Sequence, residues 1–509
     1  MHCKWLMLPI FVIILSCTTN PPQTDTVHHE ESKTNAPLVQ LVLNTNDAKV
    51  ANDKAVVADS APQNIQNDLV QDSDKLKIEA LLVQPVLKAG QKQTAYIKVG
   101  LTGFPMTEQK RIAANVAIVL DRSGSMSGEK MRKAREAAVI AVQCLNENDI
   151  VSIIAYDNNA RVIVPATKAV EKEYIINQIG GIYADGGTAL YAGVQKGAKQ
   201  VRKFFSKNKV NRVILLSDGQ ANVGPRTPHD LSILGEELVE EGISVTTIGL
   251  GLDYNEDLMV KLARSSNGNR YFARTAQQLN TIFEQEFSDV LSVVAQEVVI
   301  NIHCAEGVRP IRSLNRDPMI KGQDITLYLN QIYSQQEKYF ICEVEIPATA
   351  VGDTRRVAQV DVSYANMKTS VTDRQSNFLT ARFSESEEEI KKATHKEAMS
   401  NALLQIAVKQ NRTAIELRDK GEVSQAREIL RNNAEKLREY AEEYDSSLLD
   451  DYADSSGDFA DSVGDDASWE EDRKELLDQS ESLEDNQDND LFGDPDDNLE
   501  SDPSVDSDS

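Results

Sequence analysis

The pattern of apolar and polar residues divides the chain into regions with different periodicities. In residues 75–110 and again in 291–384, apolar residues alternate with polar ones, which predicts half-buried antiparallel strands. Between residues 111 and 290 the pattern changes to continuous apolar runs, such as Val116–Leu120, separated by amphipathic helical segments. This alternation predicts a doubly wound α/β domain in which helices cover both faces of a parallel sheet.

The strands predicted before residue 111 are too few to form a stable sheet alone. We therefore expect them to complete a β-sandwich with the strands predicted in residues 291–384. In this interpretation the α/β domain of residues 111–290 is an insertion in the sandwich.

The C-terminal third of the chain has no strand pattern. Residues 385–444 are dense in Ala, Leu, Glu and Lys, and Gly421 interrupts them, which predicts a helical hairpin. Residues 445–509 are rich in Asp and Ser and are predicted to be a disordered acidic tail, with at most a transient helix around Trp469–Leu477.

The net charge of −26 comes almost entirely from this tail. Residues 445–509 contain 25 acidic residues, and the basic residues among them are Arg473 and Lys474. No basic patch with interleaved aromatic residues occurs in the sequence, and the tail would repel phosphate. Nucleic acid is therefore excluded as the expected partner.

The N-terminus has the pattern of a secretion signal. His2 and Lys4 precede an apolar run from Trp5 to Leu15, and Cys17 follows directly. This arrangement resembles the bacterial lipobox, and the resemblance implies cleavage after residue 16 and lipid attachment to Cys17. Residues 17–74 are polar and would form a disordered tether. The expected location is the bacterial cell envelope, at the outer membrane or cell surface rather than the inner membrane. The alternative is an ordinary signal peptide with an unrelated cysteine.

Three loops of the α/β region place oxygen-bearing side chains where strands end. Asp121, Ser123 and Ser125 follow one buried strand, Asp218 follows another, and Thr188 opens a helix between them. The carboxyl ends of parallel strands meet at one edge of a sheet, so we expect these residues to converge. Carboxylate and hydroxyl oxygens suit a hard divalent cation, Mg²⁺, Mn²⁺ or Ca²⁺.

With these residues, the region 111–290 resembles a von Willebrand factor type A domain with a complete metal-ion-dependent adhesion site. The resemblance implies that Ser123 and Ser125 coordinate the cation directly and that Thr188 does so directly or through water. It also implies that Asp121 and Asp218 act partly through water. A carboxylate from an Asp or Glu of a protein ligand would fill the remaining position.

Two cysteines in the predicted sandwich have no assigned role. Cys304 and Cys342 both fall at inward-facing strand positions and could form a disulfide in an oxidising envelope. Their spacing leaves both the paired and the free state open.

Three functions are compatible with the sequence. The first is a cation-dependent protein-binding module for adhesion or assembly, on a membrane-anchored lipoprotein. The alternative is a structural scaffold that acts through the helical hairpin and the acidic tail. A metal-dependent hydrolase has the least support, because no histidine, nucleophile elbow or acid–base pair accompanies the oxygen ligands. We therefore expect the protein not to be an enzyme.

Overall fold

The computed structural model describes residues 74–106 and 111–485. The predicted signal peptide, Cys17, the tether up to residue 73 and residues 486–509 of the tail lie outside the described residues. The described residues form three β-sheets and a C-terminal group of helices. No helix in this part of the chain is long and apolar enough to cross a membrane.

In the part of the chain that the structure describes, three strands precede the α/β domain. They are β1 (Lys77–Leu82), β2 (Val86–Lys88) and β3 (Gln93–Thr102), and β1 pairs with β3 in antiparallel orientation. In β3 the alternating residues Ala95, Ile97 and Val99 are fully buried. This burial follows from the period of two, since successive side chains of a strand point to opposite faces.

The α/β domain is built on a six-stranded sheet. Its strands are β4 (Ala114–Asp121), β5 (Ile150–Tyr156), β6 (Ala160–Lys168), β7 (Val210–Ser217), β8 (Ser244–Leu250) and β9 (Arg270–Ala273). The order in the sheet is β6-β5-β4-β7-β8-β9, and all neighbours are parallel except β5 and β6. Every residue of β4, β5, β7 and β8 is buried, as expected for apolar strands covered on both faces.

Six helices cover the two faces of this sheet. They are α1 (Glu129–Cys144), α2 (Lys172–Gly180), α3 (Leu190–Val201), α4 (Pro228–Glu240), α5 (Glu256–Ser265) and α6 (Leu279–Leu291). The apolar residues of α1, α2 and α6 pack on one face, and those of α3, α4 and α5 pack on the other. At the start of α4, Thr227 and Asp230 form a capping box, with Pro228 at the first helical position.

The strands after the α/β domain form two further sheets with the strands before it. They are β10 (Val293–Cys304), β11 (Arg309–Ser313), β12 (Met319–Lys321), β13 (Asp324–Tyr333), β14 (Glu337–Ile346), β15 (Thr354–Asn366) and β16 (Val371–Ser384). One sheet has the order β1-β3-β14-β11, and the other has the order β12-β13-β10-β15-β16-β2. Apolar residues of both sheets share one core, to which Val99, Ile300 and Phe340 belong. Strand β16 is largely exposed, and its buried residues begin at Leu379.

The C-terminal region is helical. Its helices are α7 (Glu387–Ala393), α8 (Lys396–Asp419), α9 (Val423–Tyr444), α10 (Ser447–Ser462) and α11 (Trp469–Asp485). Gly421 separates α8 from α9 as predicted, and its φ of +82° is a conformation that glycine adopts without steric cost. The prediction of disorder from residue 445 onward is wrong for α10 and α11.

Apolar contacts and ion pairs explain why this acidic segment folds. Leu449, Tyr452 and Phe459 of α10 are buried against α8 and α9. Asp478 of α11 forms a 2.7 Å ion pair with Arg270 of the α/β domain. Composition alone predicts charge repulsion, but several acids of α11 face basic residues from distant parts of the chain. The hairpin α8–α9 is therefore part of a larger helical group.

Candidate metal centre

Asp121 is held at the end of β4 by donors from the two neighbouring strands. Its side chain is fully buried. One carboxylate oxygen accepts a 2.8 Å hydrogen bond from the backbone N–H of Ser123, and the other accepts from the hydroxyls of Ser217 (2.8 Å) and Tyr156 (3.2 Å). Burial raises the pKa of Asp121 to about 6, against the opposing hydrogen bonds from Ser123 and Ser217.

Ser125 contacts both Ser123 and Asp218 directly. The two serine Oγ atoms lie 3.0 Å apart, and the Ser125 hydroxyl donates a 2.7 Å hydrogen bond to Oδ1 of Asp218. Asp218 follows β7 and is fully buried. Because β4 and β7 are adjacent parallel strands, residues 93 positions apart in sequence meet at the same edge of the sheet.

The loop that carries Thr188 is tied to both of these loops. The N–H of Gly124 donates to the carbonyl of Gly186 (3.0 Å), and the N–H of Thr188 donates to the Asn222 side chain (2.8 Å). A Cβ atom at Gly219 would lie 3.4 Å from Oγ of Ser125 and 3.7 Å from Oγ1 of Thr188. The Thr188 hydroxyl therefore lies at the same edge of the sheet as the other four side chains.

The structure thus brings together all five residues of the predicted ligand set. Their donor atoms are two buried carboxylates and three hydroxyls, which fit Mg²⁺, Mn²⁺ or Ca²⁺ rather than a softer metal. In residues 74–106 and 111–485 no cluster of three or more His, Cys, Asp or Glu side chains is placed to hold a metal ion. Metal binding by the five residues stays a prediction.

Several residues that shape the site were missed by the sequence analysis. Tyr156 and Ser217 orient Asp121, and the ammonium of Lys130 lies 2.7 Å from Oδ2 of Asp218. Lys130 could have been found, since it occupies the first turn of the helix that follows the Asp121 loop. Tyr156 and Ser217 could not be identified from the sequence. Each is the last residue of an apolar strand, and that position does not reveal which side chain it contacts.

The other predicted site residues lie elsewhere. Cys304 on β10 and Cys342 on β14 are both buried in the sandwich core, and both are free thiols. Burial raises the pKa of Cys304 to about 11, and burial together with the nearby Cys304 raises the pKa of Cys342. Cys17, the predicted lipidation site, lies outside the described residues.

Comparison with known proteins identifies the domain that holds the site. Residues 115–285 match the family model of the von Willebrand factor type A domain. This chain contains a von Willebrand factor type A domain. The match begins in β4, one residue after its start, and ends within α6, so it includes all five residues of the candidate site. Type A domains are commonly protein-interaction or adhesion modules.

Relatives extend the similarity beyond the type A domain. The uncharacterized protein YfbK of Escherichia coli (strain K12) is 29% identical over 213 residues, which cover 42% of this chain and 37% of YfbK. The uncharacterized protein sll0103 of Synechocystis is 24% identical over 304 residues, which cover 57% of this chain and 71% of that protein. The chain therefore matches about a third of the length of YfbK.

A solved structure has a similar fold over most of the chain. The von Willebrand factor type A protein from Catenulispora acidiphila has a TM-score of 0.63 with 17% sequence identity. The superposition covers 80% of this chain and 96% of that one. This similarity shows a shared fold that includes more than the type A domain.

Proposed function

We propose that the protein is a divalent-cation-dependent protein-binding module, used for adhesion or assembly and carried by a lipoprotein of the bacterial cell envelope. The observation that carries the proposal is the convergence of two buried carboxylates and three hydroxyls from three separate loops. Cys17 would carry the lipid that anchors the protein to the outer membrane or cell surface. Residues 17–74 would be the tether.

Each of the five residues would contribute an oxygen ligand to the cation, either directly or through water. Ser123, Ser125 and Thr188 would offer neutral oxygens to Mg²⁺, Mn²⁺ or Ca²⁺, while the carboxylates of Asp121 and Asp218 would act partly through water. A dication held largely by neutral oxygens keeps positive charge, which attracts an anionic ligand. The partner would therefore be a protein that presents an Asp or Glu side chain to this edge of the sheet.

A groove beside the site favours a protein ligand. It lies between α3 and α4, has a volume of about 640 Å³, and begins at Asn158 and Val223, which adjoin the Thr188 loop. Lys196 and Lys199 line it, together with Glu237. An acidic segment of a partner could lie in this groove while one of its carboxylates reaches the cation.

The first test of the proposal is cation binding measured by calorimetry with Mn²⁺ and Mg²⁺. The Ser125→Ala and Thr188→Val variants each remove one oxygen with little change of volume, so we expect at least a tenfold loss of affinity from each. Ser127→Ala is the matched control, because the Ser127 hydroxyl bonds to the carbonyl of Gly124 and is not in the ligand set. Equal affinities in all the variants would contradict the proposal.

The second part of the test concerns the partner. Wild-type protein and the Asp121→Ala variant are used in cross-linked pull-downs from the native envelope, with and without chelator. We expect the partner to be captured only by wild-type protein and only without chelator. Capture that persists undiminished in chelator would disprove a cation-dependent interaction.

The two other functions have less support from the described residues. A scaffold that acts through a free acidic surface is disfavoured for α11, since Asp478, Glu481 and Glu484 pair with basic residues of this chain. A hydrolase would need a proton-transfer group beside the cation. Among the described residues, the carboxylates of Asp121 and Asp218 contact Ser, Tyr and Lys side chains. The Tyr156 hydroxyl and the Lys130 ammonium could transfer protons, but each is engaged by one of these two carboxylates.

A further inference from the structure

Lys130 is a basic residue whose ammonium contacts the candidate ligand set. It lies in the first turn of α1, and its Nζ is 2.7 Å from Oδ2 of Asp218. The other oxygen of Asp218 accepts the hydrogen bond from Ser125. Asp218 is fully buried, whereas the Lys130 side chain is 28% exposed. Both oxygens of this carboxylate are therefore engaged, one by a neutral hydroxyl and one by a cation.

The Lys130 ammonium also lies close to the loop after β8. A Cβ atom at Gly251, in the loop after β8, would lie 3.6 Å from Nζ of Lys130. Gly251 has a φ of +75°, which disfavours any other residue there. The ammonium thus lies between the Asp218 loop and the loop after β8.

The contact between Lys130 and Asp218 places a positive charge beside two buried carboxylates. Asp121 and Asp218 are both fully buried, and Asp121 accepts hydrogen bonds from the neutral groups of Ser123, Ser217 and Tyr156. Two neighbouring buried carboxylates are unfavourable unless positive charge compensates them. Among the described residues, Lys130 is the ion-pair partner of these two carboxylates.

We propose that Lys130 is the resident counter-ion of Asp218, which stabilises this carboxylate when no dication is bound and opposes the binding of a dication. The inference depends on the cation site of the proposed function. With Lys130 in place, two carboxylates, one ammonium and one dication leave a net charge of +1 at the site. Without Lys130 the net charge would be zero, and the attraction for a ligand carboxylate would be weaker. Lys130 therefore lowers cation affinity while it strengthens the capture of an acidic ligand.

The experiment compares Lys130→Met with Lys133→Met in the full chain. Lys133 lies on the same helix, and its ammonium pairs with Glu136 instead of the site. We expect Lys130→Met to bind Mn²⁺ and Mg²⁺ about tenfold more tightly in calorimetry, because a repulsive charge has been removed. Lys133→Met and the charge-conserving Lys130→Arg should retain affinities close to wild type.

The effect of Mg²⁺ on thermal unfolding distinguishes the counter-ion role of Lys130 from a purely structural one. In chelator, Lys130→Met should melt a few degrees below wild type, because Asp218 is left buried without a counter-ion. Saturating Mg²⁺ should restore most of that loss. If Lys130→Met does not fold, Lys130→Gln removes the charge and keeps a hydrogen-bond donor, and it should show the same gain in affinity.

The outcomes separate this inference from the proposed function. If wild type binds no dication, the proposed function fails and the inference fails with it. If wild type binds but Lys130→Met and Lys130→Gln bind equally well or more weakly, the inference alone is wrong. A melting loss that Mg²⁺ does not restore would assign Lys130 an ordinary structural role.

Discussion

At the scale of single residues, the site depends on side chains that would not touch a cation. Arg122, next to Asp121, donates to Oδ2 of Asp157 at 2.9 Å and to the carbonyl of Tyr183 at 3.0 Å. The carbonyl of Asp157 accepts from the N–H of Ala189, which follows Thr188. The Arg122–Asp157 pair therefore connects the loop after β4 with the loop that carries Thr188.

Replacing Asp157 by Asn tests this connection. Burial would raise the pKa of Asp157, but the Arg122 guanidinium and the N–H of Asn159 outweigh it and hold that pKa below its usual value. A carboxyl with a lowered pKa in the folded state adds stability above about pH 4, and that stability is lost as pH falls through the folded-state pKa. We expect Asp157→Asn to lower the free energy of unfolding by about 1–3 kcal/mol at pH 7. Urea unfolding should show that the difference from wild type shrinks toward pH 3, and a difference independent of pH would show that the charge is not the cause.

At the scale of elements, the sequence predicted the helices and strands whose own residues determine them, and it did not predict those that depend on contacts with distant residues. Strands β4 and β7 can be predicted from their own residues, since an unbroken apolar run must be covered on both faces of a sheet. The convergence of Asp121 with Asp218 followed from the parallel arrangement of those strands. For the segment of α11 the sequence predicted at most a transient helix around Trp469–Leu477, because the groups that neutralise its acids are distant; Arg264 and Glu484 are 220 residues apart. Composition alone indicated disorder for that segment.

Two truncations test whether α10 and α11 are structural. A chain that ends after residue 446 loses both helices, which exposes apolar residues of α8 and α9 such as Leu404 and Leu430, and leaves the buried Arg270 without its Asp478 partner. Unpaired buried charge and exposed apolar surface both destabilise the folded state, so its melting temperature should fall by about 10 °C or more.

A chain that ends after Asp485 keeps every described helix and is the matched control. It should melt at the same temperature as the full chain in scanning calorimetry. Equal melting temperatures for the two truncations would show that α10 and α11 contribute nothing to the stability of the rest.

At the scale of the whole molecule, a buried polar network joins the type A domain to the sandwich. Arg212 on β7 is fully buried and donates to Glu286 of α6 and to the hydroxyl of Tyr333 on β13, both at 2.8 Å. The Tyr333 hydroxyl donates to Asn269 (3.2 Å), whose amide in turn donates to Glu286 (2.9 Å). The guanidinium therefore reaches from the sheet of one domain to a strand of the other.

This network should make the two domains unfold together. Arg212→Met would leave Glu286 buried without its partner, at a cost of about 3–5 kcal/mol, and would also break the link to Tyr333. Because the substitution weakens the interaction between the two domains, we expect one calorimetric transition in wild type and two in Arg212→Met. The double variant Arg212→Met/Glu286→Leu removes both charges and should recover part of the lost stability, since no charge remains buried unpaired. If Arg212→Met lowers the melting temperature but still unfolds in one transition, the network stabilises the type A domain alone, and other contacts join the two domains.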